Sequence, residues 1–458
     1  MTEYAVSRNP TSGEILARYP MQSADELEQT LIRSAQGFNQ WRATPVKQRL
    51  QVLSQLAAQL RQRQDELARM VTLEMGKPIA QARGEVLKCA DLCDWYAANG
   101  AAMLAPQATQ VADQQAWQEF RPLGTILAVM PWNFPFWQVL RGAVSILLAG
   151  NAYLLKHAPN VMGCAYLLHD LFAATDIPNG TFEIINVNND GVSAAINDDR
   201  VAAVAVTGSV RAGAAIAAQA GAVLKKTVLE LGGADPFIVL ADADLDEAVK
   251  AAVIGRFQNS GQVCMAAKRF IIEAPVAAEF EARFVAAVQA LRIGDPLDEA
   301  NYIGPMARFD LRDELDGQVQ KTLQEGARLV LGGEKLAGEG NYYAPTILAD
   351  VSENMTAFKE ELFGPVAAIT VAQDARHALE LANNSDFGLS ATLWTADTTL
   401  ADEMAAQLET GAVFINGYGA SDPRVTIGGV KKSGYGRELS HYGVHEFCNI
   451  QTVWKNRR

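Results

Sequence analysis

Phe257-Gln258-Asn259-Ser260-Gly261-Gln262-Val263-Cys264 is a polar, glycine-containing stretch that ends on a cysteine, with small residues behind it at Ala266 and Ala267. A thiol at such a loop end meets a substrate with little steric hindrance. A free thiol of pKa ~8.5 is partly thiolate near neutrality and strongly nucleophilic. Thirty-four residues upstream, Val228-Leu229-Glu230-Leu231-Gly232-Gly233 sets one carboxylate among apolar side chains. Burial raises a carboxylate's pKa, which suits a general base acting on water. Cys264 and Glu230 are therefore expected to form a nucleophile and a base. Taken singly, each has a plainer reading, since a lone cysteine is often a small buried hydrophobe and a glutamate at a strand end is often salt-bridged. None of His157, His169, His377, His441 and His445 is an evident partner for the thiol. Cys89 and Cys93, and likewise His441 and His445, are four apart and could share a helix face as metal ligands. No further ligand lies near either pair, so core packing and surface positions are expected instead, and no metal.

The elements that must carry these residues follow from periodicity. Ser23-Ala24-Asp25-Glu26 reads as a capping box opening a helix to about Trp41. Leu50, Leu53, Leu56, Leu60 and Leu67 predict one amphipathic helix from about Val46 to Met75, and another covers about Ile79–Ala98. From Gly124, apolar β-rich runs (Thr125–Pro131, Ala152–Lys156, Phe182–Val187, Val201–Thr207) alternate with helical stretches. That alternation implies an α/β fold with a doubly wound parallel sheet, ligands binding at the carboxyl ends of its strands. Those ends carry Pro131-Trp132-Asn133, Lys156-His157-Ala158-Pro159 and Thr207-Gly208-Ser209. Backbone N–H groups at the helix start after Gly208 can hold a phosphate, although the stretch is not a full G-x-G-x-x-G. A second α/β region begins after Gly233. Residues 111–121 read as an extended, half-polar segment, either an arm that pairs with another subunit or a surface hairpin, and Asn449–Lys455 alternates as a strand that could pair with it.

A chain of 458 residues is too long for one compact core and suggests two or three domains. The net charge of −13 repels phosphate backbones, so nucleic-acid binding is not expected. No apolar run reaches the ~20 residues that span a bilayer. Five cysteines, an odd and scattered set, do not form a disulfide framework and fit a reducing cytoplasm.

Pro131-Trp132-Asn133-Phe134-Pro135, Leu229-Glu230-Leu231-Gly232-Gly233, Gly261-Gln262-Val263-Cys264, Glu361-Leu362-Phe363-Gly364-Pro365 and Gly428-Gly429-Val430-Lys431-Lys432-Ser433-Gly434 stand in an order and spacing that resembles the NAD(P)-dependent aldehyde dehydrogenases over essentially the whole chain. Within that family the chain is most similar to bacterial succinate-semialdehyde dehydrogenases. The resemblance implies a Rossmann-type dinucleotide-binding domain (1–110 and 127–231), a catalytic domain (232–445) and a small β oligomerisation arm (111–126 and 446–458), in a homodimer or homotetramer. It implies Cys264 as nucleophile, Asn133 with the Cys264 N–H as oxyanion hole, and Glu230 as the base for water. Cofactor contacts are expected from Met130, Trp132, Lys156, His157, Ala158, Pro159, Gly208, Ser209, Leu231, Glu361 and Phe363. Strictly NAD-preferring relatives have a glutamate where Pro159 stands. A carboxylate would repel a 2′-phosphate and proline does not, so use of both NAD and NADP is expected. For the substrate, the resemblance implies that Arg141 pairs with the far carboxylate of a semialdehyde, with Trp137 beside it. Gln258 stands where some of these enzymes have a second arginine. The serine of their anchoring loop is expected to fall near Asp422, where either Arg424 compensates or Asp422 favours another ω-substituted aldehyde, such as glutarate semialdehyde.

Overall fold

The computed structural model describes residues 3–111 and 114–456; residues 1–2, 112–113 and 457–458, which touch the expected first domain, arm and tail, lie outside the described residues. The Ser23 side chain accepts the Glu26 N–H while the Glu26 carboxylate takes the Ser23 N–H, so the capping box opens the Ala24–Ala43 helix as read. The helix expected over Val46–Met75 is two, Val46–Gln62 and Gln64–Met75, broken at Arg63 (φ −101°, ψ 17°). No glycine or proline marks that break. It lets Leu53, Leu56 and Leu60, then Leu67 and Val71, turn onto one core with the Ile79–Met103 helix.

Two sheets organise the rest. The first has the order Gly434–Tyr435, Lys226–Glu230, Val201–Thr207, Thr125–Met130, Ala152–His157, Phe182–Ile184, parallel except for the first of these. Its strands are apolar on both faces. Ile126, Ala128 and Met130 pack into one cluster, while Leu127, Leu154 and Val206 pack into another on the opposite side. Each fully buried side chain of this kind contributes about 1.5–3 kcal/mol before chain entropy is charged, and continuous apolar runs are what a sheet covered on both faces requires. The second sheet has seven strands built around Asp235–Val239, Ala267–Glu273 and Val366–Ala372. Again alternate residues divide between two cores, Phe237, Phe270 and Ile369 on one face and Ile238, Ile271 and Ala368 on the other.

The chain leaves the first sheet at Glu230 and enters the second at Asp235. It does not stay there until residue 445, as the expected domain division has it. Gly434 and Tyr435 return to pair antiparallel with Glu230 and Leu229, a close approach that needs glycine, because a Cβ at residue 434 (φ 111°) would lie only 2.0 Å from the Leu229 carbonyl oxygen. Outside both sheets, Gln107–Val111, Gln114–Pro122 and Cys448–Lys455 form a three-stranded antiparallel sheet in which the tail pairs with the earlier segment from Cys448↔Pro122 to Lys455↔Gln115.

Candidate active site

The cysteine loop follows the Leu245–Phe257 helix through three successive left-handed residues, Asn259 (φ 54°), Ser260 (φ 52°) and Gly261 (φ 74°). A non-glycine residue there costs on the order of 1–2 kcal/mol, so the surroundings must hold the loop. Gln81 accepts the Asn259 N–H, and the Asn259 amide donates to the Asn133 carbonyl at 2.8 Å. Ser260 exchanges hydrogen bonds with the backbone of Gly304. The Arg256 guanidinium donates to the carbonyls of Gly261 (2.6 Å) and Gly364. A Cβ on Gly261 would approach the Gly364 carbonyl oxygen to 2.2 Å. Gly261→Ala is therefore expected to lower kcat by at least about 10²-fold, the scale of misplacing a reacting group by an ångström. Steady-state kinetics beside a melting curve check this, and an unimpaired kcat would mean the loop tolerates the shift.

That loop delivers a half-buried Cys264 to a cluster formed by Asn133, Glu230, Arg141 and Glu438. Asn133 sits just after the Thr125–Met130 strand, and its side-chain N–H donates to the Gln262 carbonyl at 3.0 Å, aiming the amide at the cysteine loop. Glu230 ends the Lys226–Glu230 strand, with Oε1 buried and unpaired and Oε2 4.0 Å from the Arg141 guanidinium. Burial pushes the Glu230 carboxyl up to about 8, with Arg141 opposing and Glu438 assisting. Burial also pushes the Cys264 thiol up to about 11, against the pull of the Arg141 and Lys268 cations. The thiol is thus protonated at neutral pH, in place of the partial thiolate read from its loop; dehydration outweighs the nearby positive charge.

A cleft of about 830 Å³ opens onto this cluster and is lined by Trp132, Asn133, Thr207, Gly208, Ser209, Glu230, Leu231, Cys264, Glu361 and Phe363, among others. Trp132 and Phe363 meet edge to face with ring centroids 5.7 Å apart. The Glu361 carboxylate accepts the Gly233 N–H at 3.0 Å and lies 3.3 Å from the Lys268 ammonium. It rests against Gly232, where a Cβ would come within 2.2 Å. Ser209 caps the Val210–Ala222 helix through the Ala212 N–H, and the buried Thr207 hydroxyl has no partner among the described residues. A helix start, an unpaired hydroxyl and an aromatic pair along one cleft fit a dinucleotide. Lys156, half-buried with its ammonium lowered by burial, Ala158 and the exposed Pro159 stand at the end of the neighbouring strand. His157 departs from the expected cofactor contact. Its ring is buried against the carbonyls of Met130 (3.3 Å) and Pro135 (3.0 Å), and Nδ1 accepts the Ala158 N–H. Burial drops it to about 4, so it is a neutral brace between two strand ends.

The expected substrate residues divide. Arg141 and Trp137 share the Trp137–Leu148 helix, both buried. Arg141 is ion-paired with Glu438 and lies 4.0 Å from Glu230, while its buried Nη2 has no hydrogen-bond partner among the described residues and so keeps a donor for a carboxylate. Gln258 is exposed at the end of its helix, where its N–H caps the Ile254 carbonyl; its side chain makes no hydrogen bond among the described residues, and it is not among the residues that line the cleft. The nearest arginine in sequence, Arg256, is spent on backbone carbonyls. Asp422 is tied to Arg424, whose guanidinium reaches it at 2.7 and 2.8 Å, so neither side chain is available in the way expected. The serine that faces inward is Ser421, which accepts from Lys88 at 2.8 Å. Sequence reasoning also missed Glu438, Lys268 and Glu85. Lys268 donates to the Cys264 carbonyl at 2.5 Å. Glu85 accepts the N–H groups of Phe136 (2.9 Å) and Trp137 (3.0 Å) and so fixes where the Arg141 helix begins.

Residues 2–453 match the model of the Aldehyde dehydrogenase family. The chain is 66% identical over 454 residues to the NAD(P)+ succinate semialdehyde dehydrogenase Sad of Escherichia coli (strain K12), with 99% of this chain and 98% of that protein covered. It is 46% identical over 446 residues to a probable NADP(+) succinate-semialdehyde dehydrogenase of Synechocystis sp. (strain ATCC 27184 / PCC 6803 / Kazusa), covering 97% and 98%. The crystal structure of succinic semialdehyde dehydrogenase from Streptococcus pyogenes in complex with NADP+ superposes with a TM-score of 0.97 at 35% identity, covering 99% of this chain and 100% of that one.

Proposed function

The chain belongs to the aldehyde dehydrogenase family, and from that premise we propose that it oxidises succinate semialdehyde to succinate, with NAD(P)+ as electron acceptor. The observation that carries this reading is the meeting of Cys264, Asn133 and Glu230 at the end of one dinucleotide-sized cleft. Cys264 Sγ attacks the aldehyde carbon as thiolate, a minority form that the Arg141 and Lys268 cations favour. The Asn133 side-chain N–H and the Cys264 N–H stabilise the resulting oxyanion. NAD(P)+, when bound, accepts the hydride released from that carbon. A thioester on Cys264 remains, and Glu230 takes a proton from the water that hydrolyses it. The carboxyl of Glu230 argues for water as acyl acceptor. Trp132 and Phe363 wall the nicotinamide end of the cleft, Glu361 its ribose, and the Gly208–Ser209 turn its pyrophosphate. With proline at 159 and a lysine at 156, no carboxylate there repels a 2′-phosphate, which favours use of both dinucleotides.

Residues 1–110 and 127–231 serve the dinucleotide and 232–445 the chemistry, with residues 434–435 pairing back onto the first sheet. The three-stranded arm serves assembly into a homodimer or homotetramer, an assignment supported by the exposure of Ile450 and Trp454 on its tail strand. No helix among the described residues is long and apolar enough to cross a membrane, and the free cysteines fit a cytoplasmic setting.

The test is a panel of kcat/KM values for succinate semialdehyde, glutarate semialdehyde and butanal, each with NAD and NADP. The expected outcome is turnover with both dinucleotides and highest kcat/KM for succinate semialdehyde. A preference for butanal would overturn the substrate; strict NAD dependence would overturn the reading of Pro159.

A further inference from the structure

Lys88 projects from the Ile79–Met103 helix to a half-buried position over the Trp137 ring, its ammonium 4.2 Å from the ring centroid, and donates to the Ser421 hydroxyl at 2.8 Å. Ser421 belongs to the stretch whose Gly419 abuts the residue after the nucleophile, since a Cβ there would stand 3.0 Å from the Met265 carbonyl oxygen. Trp137 lies one helical turn before Arg141. Lys88 therefore joins the helix that carries Arg141 to the loop that packs against Met265.

Its charge has no acid of its own within salt-bridge distance among the described residues. The two carboxylates that influence it are each committed elsewhere, Glu85 to Lys77 and Asp422 to Arg424. Burial chiefly, with the Arg141 guanidinium adding to it as a second positive charge close by, lowers the Lys88 ammonium to about 8. A partly dehydrated cation facing another cation is relieved by an anion brought between them. The Arg141 charge is already offset by its ion-pair partner Glu438.

We propose that Lys88 is a specificity-determining residue, its ammonium, held over the Trp137 ring, binding the far carboxylate of the semialdehyde together with the Ser421 hydroxyl. Resting on the substrate assigned above, this supplies the second cation that Gln258, exposed on its helix end, does not.

The test measures kcat/KM for succinate semialdehyde and butanal in the wild type, Lys88→Met and Lys88→Arg, with melting curves for each. Losing a charge-assisted contact is expected to lower the succinate semialdehyde over butanal ratio at least about tenfold in Lys88→Met, mainly through KM, with Lys88→Arg recovering most of it. Folded Lys88→Met protein with an unchanged ratio would overturn the proposal while leaving the substrate reading in place. A wild type without preference for succinate semialdehyde would overturn the substrate reading and this role with it. Should Lys88→Met fold poorly, the ratio in Lys88→Gln decides in the same way.

Discussion

Cys264→Ala is expected to lower kcat/KM for the aldehyde by at least about 10⁴-fold, the lower end of what removing a covalent nucleophile costs. Nothing nearby can take over. Cys89, Cys93 and Cys164 are buried in the core and Cys448 is buried at the start of the tail strand. Only Cys264 lines the cleft beside Asn133 and Glu230. Truncating one half-buried thiol leaves the Arg256, Ser260 and Asn259 contacts that hold the loop, so the melting temperature and the affinity for NADP are expected to stay near wild type. Residual turnover within tenfold of wild type, in protein free of wild-type contamination, would remove Cys264 from the chemistry.

Glu230→Gln is expected to slow steady-state turnover by roughly 10²–10⁴-fold, the range for loss of a positioned general base, and to do so after the hydride has left. The first turnover then still yields reduced dinucleotide, and the slow phase is hydrolysis. The pH dependence carries the same signature. With its carboxyl raised to about 8, Glu230 is mostly protonated below that value and ionised above it. Hydrolysis by the wild type therefore rises with pH through about 8 and then levels, whereas that limb disappears from the hydrolytic phase of the glutamine variant. Stopped-flow absorbance across a pH series separates the two phases. An equal loss in both would give Glu230 an earlier task.

What the sequence makes legible here is local. Cys264, Glu230 and Asn133 each lie in a short motif at a strand or loop end, and runs of apolar residues without alternation announce a parallel sheet covered on both faces. Contacts made between distant segments leave no such mark. Lys88 reads as one more helical lysine until Ser421 and Trp137 meet it from far along the chain. Glu438 becomes part of the site only because residues 434–435 pair back onto Glu230. Local chemistry also misleads where burial decides: the loop suggests a partly ionised thiol at Cys264, and dehydration raises its pKa instead. His157 looks like a strand-end ligand contact, yet its ring is used up on the Pro135 carbonyl and the Ala158 N–H. Arg63 breaks a helix without glycine or proline, a choice made by the packing of both halves on the next helix.

The central claim is a thioester on Cys264 that water, activated by Glu230, hydrolyses. Intact-protein and peptide mass spectrometry of Glu230→Gln, quenched after mixing with succinate semialdehyde and NADP, tests it most directly. The account predicts one added succinyl group per active chain, located on Cys264 and formed together with one reduced dinucleotide. Reduced dinucleotide accumulating with no acyl group on Cys264, or an acyl group on another residue, would contradict it.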